Sequence, residues 1–134
     1  MIRFFGGRVM TLANDIETQD IEVWTEGSKI VFVGKPKAEE LDGKVFEREY
    51  DLKGNLLMPS FKNAHTHSAM TFLRSYADDM PLQDWLFKQI FPMEAKLDGE
   101  KVYWLTKLAI LEYLTTGCTA AFDMYFELDD YVKA

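Results

Sequence analysis

Hydrophobic and polar positions change their spacing along the chain. In the first part, short runs rich in β-branched and aromatic residues, "RVMTL" (8–12), "IEVWTEG" (21–27) and "KIVFVG" (29–34), are punctuated by Asn-Asp, Gly-Ser and Gly-Lys-Pro, which predicts strands separated by turns. "EGSK" between two of them predicts a tight hairpin. After a polar stretch, "KAEELDGK", the run "VFEREYDL" sets Val45, Glu47, Glu49 and Asp51 against Phe46, Arg48, Tyr50 and Leu52, a period of two that predicts another half-exposed strand.

The mostly apolar "NLLMPSFKNAHTH" follows and predicts a buried strand interrupted by Pro59 and Lys62. From Asp79 the period becomes helical. Pro81 suits a first turn, Leu82, Trp85, Leu86 and Gln89 share one side, and Pro92 is expected to stop the helix. A longer helix is expected after Asp98, with Val102, Leu105, Leu108, Ala109 and Glu112 along one stripe and Gly117 as its C-terminal cap. "CTAAFDMYF" (118–126) predicts a second buried strand and "DDYVKA" the start of another helix. Strand, helices, strand and helix start is the pattern of βα units on a parallel sheet. The expected fold class is α/β, with a small β unit over 1–55 and βα units over 56–134.

Composition narrows the function. The 134 residues are 48% hydrophobic, enough for a packed core, and carry a net charge of −7. Such a chain offers no basic surface to nucleic acid or an anionic membrane. No apolar run approaches the roughly 20 residues that span a bilayer, there is no apolar run of signal-peptide length at the start, and a single cysteine, Cys118, forms no internal disulfide. A cytoplasmic protein acting on a small molecule is the expectation.

The candidate chemistry sits in "NAHTHSAM" (63–70), which holds both histidines of the chain. On a strand, side chains at i and i+2 point to one face, so His65 and His67 can lean onto one ion. Spacing by itself leaves two ordinary histidines as an equal alternative. The position at the carboxyl end of an apolar strand, where parallel α/β folds bind ligands, favours the metal reading. The pair is half a zinc site, because zinc takes three or four protein ligands and no further histidine exists.

The segment "MPSFKNAHTHSAMTFLRSYADDMPLQDWLFKQIFPMEAKL" (58–97) resembles the start of the catalytic barrel in the amidohydrolase superfamily. Within it, the 5′-methylthioadenosine/S-adenosylhomocysteine deaminases and their chlorohydrolase and cytosine deaminase relatives are the most similar. "FDMYF" (122–126) resembles the second barrel strand, and the N-terminal strands resemble the β-sandwich that accompanies these barrels. The resemblance implies the start of a metal-dependent (β/α)8 TIM barrel, about two βα units, preceded by part of a small β-sandwich. It implies that His65 and His67 are the first two ligands of one divalent metal ion, commonly zinc, and that Glu94 in "FPMEAKL" holds the sugar hydroxyls of a nucleoside substrate. A carboxylate suits that role because it takes two donors from a vicinal diol; a solvated glutamate at a helix end is the plainer reading of the residue by itself.

Other residues are weaker candidates. Trp85 could face a purine ring, though a Trp at helical spacing with Leu82 and Leu86 is more often core. Asp123 at a strand end could orient a neighbour. Arg74, Asp78 and Asp79 read as a surface network, Cys118 as a small buried hydrophobe, and Met58, Met70, Met80, Met93 and Met124 as gap fillers or pocket lining. Two positions depart from the family pattern: Ser60 replaces a usual glycine, and Lys62 replaces an apolar residue and would have to snorkel or find a carboxylate.

A closed barrel takes roughly 250 residues, so the later metal ligands and the acid–base groups are expected beyond Ala134. The expected function is the N-terminal part of a hydrolytic adenine-nucleoside deaminase. The alternatives are a hydrolase of another ring (guanine, cytosine or chlorotriazine) or an inactive module keeping half a metal site. With a metal-ligand position unfilled and no acid–base group on this segment, the isolated chain is expected to be inactive and to bind zinc only weakly. Two barrel strands with open edges predict that it associates with itself, a homo-oligomer being one outcome, or is marginally folded.

Overall fold

A computed structural model describes residues 1–13, 17–126 and 128–134. Its contacts divide into two compact units, Met1–Pro59 and Ser60–Ala134. The Asn14-Asp15 turn expected from the sequence lies outside the described residues.

The first unit holds β1 (Ile2–Phe5), β2 (Arg8–Met10), β3 (Thr18–Gln19), β4 (Glu22–Glu26), β5 (Lys29–Gly34), α1 (Ala38–Leu41), β6 (Arg48–Asp51) and β7 (Leu56–Leu57). They form a four-stranded sheet in the order β5-β4-β1-β6 and a three-stranded sheet in the order β3-β2-β7. The "EGSK" hairpin closes between Glu26 and its partner Lys29, with Gly27 at φ +57°, a conformation glycine enters without steric cost. The expected polar stretch "KAEELDGK" contains a helical turn instead. Glu40 reaches back to accept the Lys37 N–H at 2.7 Å, which satisfies a donor that a helix start otherwise leaves open. The strand expected over "VFEREYDL" pairs only across Arg48–Asp51 and is exposed on both faces. Val9, Val23 and Trp24 are the buried apolar residues, and Trp24 stacks on Phe32 with ring centroids 4.1 Å apart.

The second unit runs β8 (Phe61–Thr66), a 3₁₀ turn (Ser68–Leu73), α2 (Leu82–Asp84), a π turn (Trp85–Ile90), α3 (Phe91–Glu94), α4 (Gly99–Thr115), β9 (Cys118–Asp123) and α5 (Leu128–Lys133). β8 and β9 pair in parallel. The single strand expected over "NLLMPSFKNAHTH" is two, β7 and β8, broken at Met58–Ser60, where Pro59 has no N–H to give a ladder. Neither β8 nor β9 is the buried strand its composition suggests: Phe61 is 60% exposed and Phe122 79%, since the two strands pair only with each other among the described residues. β9 ends three residues early, where its partner β8 ends at Thr66, and the Met124 N–H donates to the Thr66 carbonyl at 3.2 Å at the close of that pairing.

Pro92 does not stop its helix. The winding continues through it to Glu94, and the Phe91 N–H reaches back five residues to Leu86 O. A proline ring in a regular helix collides with the carbonyl four residues earlier; the wider π turn moves that carbonyl aside. α4 starts as expected, with Asp98 accepting the Lys101 N–H at 3.0 Å, and ends at Gly117, whose φ is +80°. Of the expected stripe Val102 and Ala109 are buried and Leu105 is half-buried, Thr106 joins the buried line, Leu108 is exposed and Glu112 is turned to an ion pair. The small residues at 106 and 109 let the 3₁₀ turn, with Ala69 fully buried, lie close against the helix. No helix among the described residues is long and apolar enough to cross a membrane.

Candidate functional site

His65 lies within β8 and His67 one residue past its end. The period of two puts their rings side by side, with centroids 4.9 Å apart and planes at 81°. His65 is exposed and His67 half-buried. His67 Nδ1 lies 2.7 Å from the carbonyl of Met124. A carbonyl only accepts, so Nδ1 donates, and in the neutral ring the lone pair is on Nε2. This is the arrangement by which proteins hold a histidine ready for a metal. His65's ring nitrogens hydrogen-bond to none of the described residues. The donor set therefore suits a borderline cation such as zinc, although among the described residues no three His, Cys, Asp or Glu come together.

The backbone between and after the histidines is fixed by a directed chain of hydroxyls. Asp123 accepts from the Ser68 N–H at 3.1 Å and from Ser68 Oγ. An ionised carboxylate only accepts, so Ser68 Oγ gives its hydrogen to Asp123 and must accept from the Tyr113 hydroxyl, 2.7 Å away. Tyr113 in turn accepts from Thr66 Oγ1 at 2.5 Å. The direction of the whole chain, Thr66 to Tyr113 to Ser68 to Asp123, follows from the charge at its end. Ser68 is 2% exposed and Thr66 and Tyr113 are half-buried, and leaving the buried Ser68 hydroxyl without its partner costs about 1–3 kcal/mol.

One cavity of about 430 Å³ is lined by His67, Met70, Trp85, Ile90, Glu94 and Tyr125 among others. It brings together three of the four residues singled out in the sequence, His67, Trp85 and Glu94; His65 stands beside His67 outside the lining. Trp85 and Glu94 are nine residues apart, and on a regular helix of 3.6 residues per turn they would point in opposite directions. The π turn between them takes more residues per revolution and closes that angle, so both reach the same cavity. A second cavity, about 580 Å³, is lined by Ala95, Leu97 and Val102 and shares Phe91, Glu94, Tyr125 and Phe126 with the first. Burial, and then the Glu94 carboxylate, push the Tyr125 phenol well above its ordinary pKa.

The remaining candidates fall outside this site. Arg74 binds the Glu112 carboxylate with both arms at 3.0 and 2.7 Å, not Asp78 or Asp79. Cys118 is half-buried rather than buried, because it opens an exposed strand. Lys62 finds hydroxyls in place of a carboxylate, donating to Ser60 Oγ at 2.9 Å and Thr119 Oγ1 at 2.8 Å. The sequence reading missed Tyr113, Ser68 and Tyr125; a hydroxyl in an apolar run gives no periodic signal, and only the fold joins them.

Residues 56–134 match the model of the Amidohydrolase family, and the chain belongs to that family. It is 50% identical over 96 residues to a 5-methylthioadenosine/S-adenosylhomocysteine deaminase of Syntrophomonas wolfei, covering 69% of this chain and 22% of that protein. To a 5′-deoxyadenosine deaminase of Methanospirillum hungatei it is 56% identical over 84 residues, 63% of this chain and 19% of that one. The crystal structure of an adenosine deaminase from Xanthomonas campestris with bound zinc superposes with a TM-score of 0.90 at 34% identity, over 98% of this chain and 30% of that chain. The chain thus spans less than a third of the length of these relatives.

Proposed function

We propose that this chain is the N-terminal part of a metal-dependent hydrolase that removes the 6-amino group of an adenine nucleoside of the 5′-methylthioadenosine or S-adenosylhomocysteine type. In this reading Ser60–Ala134 is the start of a (β/α)8 barrel and Met1–Pro59 part of a β-sandwich. His65 and His67 would hold a divalent metal, zinc by analogy with the Xanthomonas relative. When bound, the metal supplies Lewis-acid activation of a water at neutral pH. His67 meets it with a ring oriented by Met124 O. Glu94 accepts the two hydroxyls of the ribose diol, Trp85 offers its face to the purine, and the apolar wall of Met70, Ile90 and Phe91 excludes bulk water. Proton transfer to the departing ammonia falls to groups beyond Ala134, so the isolated chain is inactive in this reading.

The observation that carries the proposal is the single cavity shared by His67, Trp85 and Glu94. The test is Glu94→Gln in the protein at the length of its relatives. The loss of a charge-assisted hydrogen bond, about 1.5–3 kcal/mol, should lower kcat/KM for 5′-methylthioadenosine by about one to two decades. Deamination of adenine, which has no diol, should be little changed. Equal losses on nucleoside and free base would make Glu94 structural and remove the nucleoside reading.

A further inference from the structure

Tyr125 lies two residues past β9 and lines both cavities that meet at Glu94. Its phenolic oxygen is buried, yet it completes no hydrogen bond of normal geometry with any described residue. Beside it is the Glu94 carboxylate, a group that only accepts. Burial and that neighbouring charge hold the phenol protonated far above neutral pH, so it is a donor facing an acceptor. A tyrosine kept only for packing has no need to hold its hydroxyl away from water and short of a partner; phenylalanine would fill the same space without the desolvated oxygen. The carboxylate also has capacity to spare. It offers about four lone-pair sites, of which a vicinal diol takes two, leaving room for a phenolic hydrogen on the side away from the sugar.

We propose that Tyr125 is a positioning residue: by donating its phenolic hydrogen to Glu94 it fixes the carboxylate in the orientation that receives a vicinal diol, and so sets the preference for ribosyl over dideoxyribosyl substrates. The inference rests on the reading of Glu94 given above. It separates Tyr125 from the apolar residues around it, which shape the cavity without choosing between sugars.

The experiment uses the protein at the length of its relatives, with zinc, and two substrates, adenosine and 2′,3′-dideoxyadenosine. Tyr125→Phe is expected to lower kcat/KM for adenosine about 10-fold, through KM with kcat nearly unchanged, and to alter the dideoxy substrate less than about twofold. In a Glu94→Gln background the same change should have no further effect on adenosine, because the carboxylate it orients is gone. Equal losses on both substrates, or full additivity with Glu94→Gln, would overturn the proposal. If Glu94→Gln itself leaves the preference for the diol intact, the reading of Glu94 fails and takes this inference with it; if Glu94→Gln abolishes the preference and Tyr125→Phe does not touch it, only the inference fails. Should Tyr125→Phe not fold, the ¹³Cζ resonance of Tyr125 gives a second readout: its titration should move to lower pH in Glu94→Gln, and an unmoved titration would overturn the contact.

Discussion

In residues 1–59 the strongest polar group closes on its own neighbours. The Arg3 guanidinium binds both oxygens of Glu22 at 2.7 and 2.6 Å and Glu49 at 2.8 Å, and Trp24 Nε1 adds a further hydrogen bond to Glu22 at 2.9 Å. Every member of that cluster has a partner within it. In residues 60–134 the hydroxyl chain ends on Asp123, but the groups it supports point elsewhere: His67 keeps the Nε2 lone pair, His65 has no hydrogen-bonded ring nitrogen among the described residues, and Glu94 faces a cavity. A polar cluster that satisfies itself reads as architecture. One that fixes the backbone and leaves its end groups with capacity reads as chemistry.

The comparison breaks first at the histidines. In the protein at the length of its relatives, His67→Ala is expected to cut deamination by about 10³-fold or more, since metal activation contributes several kcal/mol. Bound zinc, read by metal analysis of the purified protein, should fall in parallel. Arg3→Ala should leave the activity per folded molecule unchanged. If His67→Ala kept both zinc and turnover, the pair would belong with the self-satisfied clusters.

Ser68→Ala tests the support rather than the ligand. It removes the middle of the hydroxyl chain, taking the Tyr113 hydroxyl's acceptor away while Asp123 keeps the backbone N–H of residue 68. Supporting groups around metal ligands are worth about 10–100-fold in metal affinity or activity, so zinc affinity should drop in that range, by competition with a chelator, while His65 and His67 are untouched. Unchanged affinity would reduce the chain to packing.

The first unit gives the opposite signature, a pH-dependent stability with no effect on turnover. The hydrogen bonds from Arg3, and then from Trp24, hold the Glu22 carboxyl below its ordinary pKa of 4.5. A group whose pKa is lowered on folding stabilises the fold fully above its unfolded value, and that contribution disappears as the pH falls through the folded value. Glu22→Gln should therefore cost about 1–2 kcal/mol near neutral pH. The difference from wild type should shrink as urea midpoints are followed down from pH 5. A difference independent of pH would mean that the carboxylate charge is not what holds the cluster.

These contrasts also mark what could be read in the chain beforehand. The β-branched and aromatic runs around Val23 and Val33, the helix start after Asp98 and the Gly117 stop are local effects of backbone geometry, and they stand where the sequence puts them. The histidine spacing is equally local. The link from Trp85 to Glu94 is not, because it depends on a π turn that Pro92 imposes on residues before it, and a pattern of 3.6 places the two on opposite sides. Tyr113 and Ser68, 45 residues apart, meet only through the packing of the 3₁₀ turn on α4. Chemistry set by neighbours along the chain was legible, and chemistry set by neighbours across it was not.

The smallest expected effect concerns the two departures from the family pattern, which turn out to be one feature. Ser60 and Lys62 on one side and Thr119 on β9 form a closed triangle, with Ser60 and Thr119 hydrogen-bonded to each other and the Lys62 ammonium donating to both. An ammonium has three donors and a hydroxyl two acceptor sites, so the arrangement satisfies itself without a carboxylate. It stitches two parallel strands at one of the two places where their register shifts, between Phe61 and Lys62. Lys62 and Thr119 are exposed and Ser60 is half-buried, and the hydrogen bonds of the Lys62 ammonium, being exposed, compete with water, so Lys62→Met should cost only about 0.5 kcal/mol. The urea midpoint should shift slightly, and zinc affinity and turnover should stay at wild-type values. A loss of zinc from Lys62→Met would mean that the irregular start of β8 reaches the histidines at its other end, and that this triangle belongs with the chemistry rather than with the architecture.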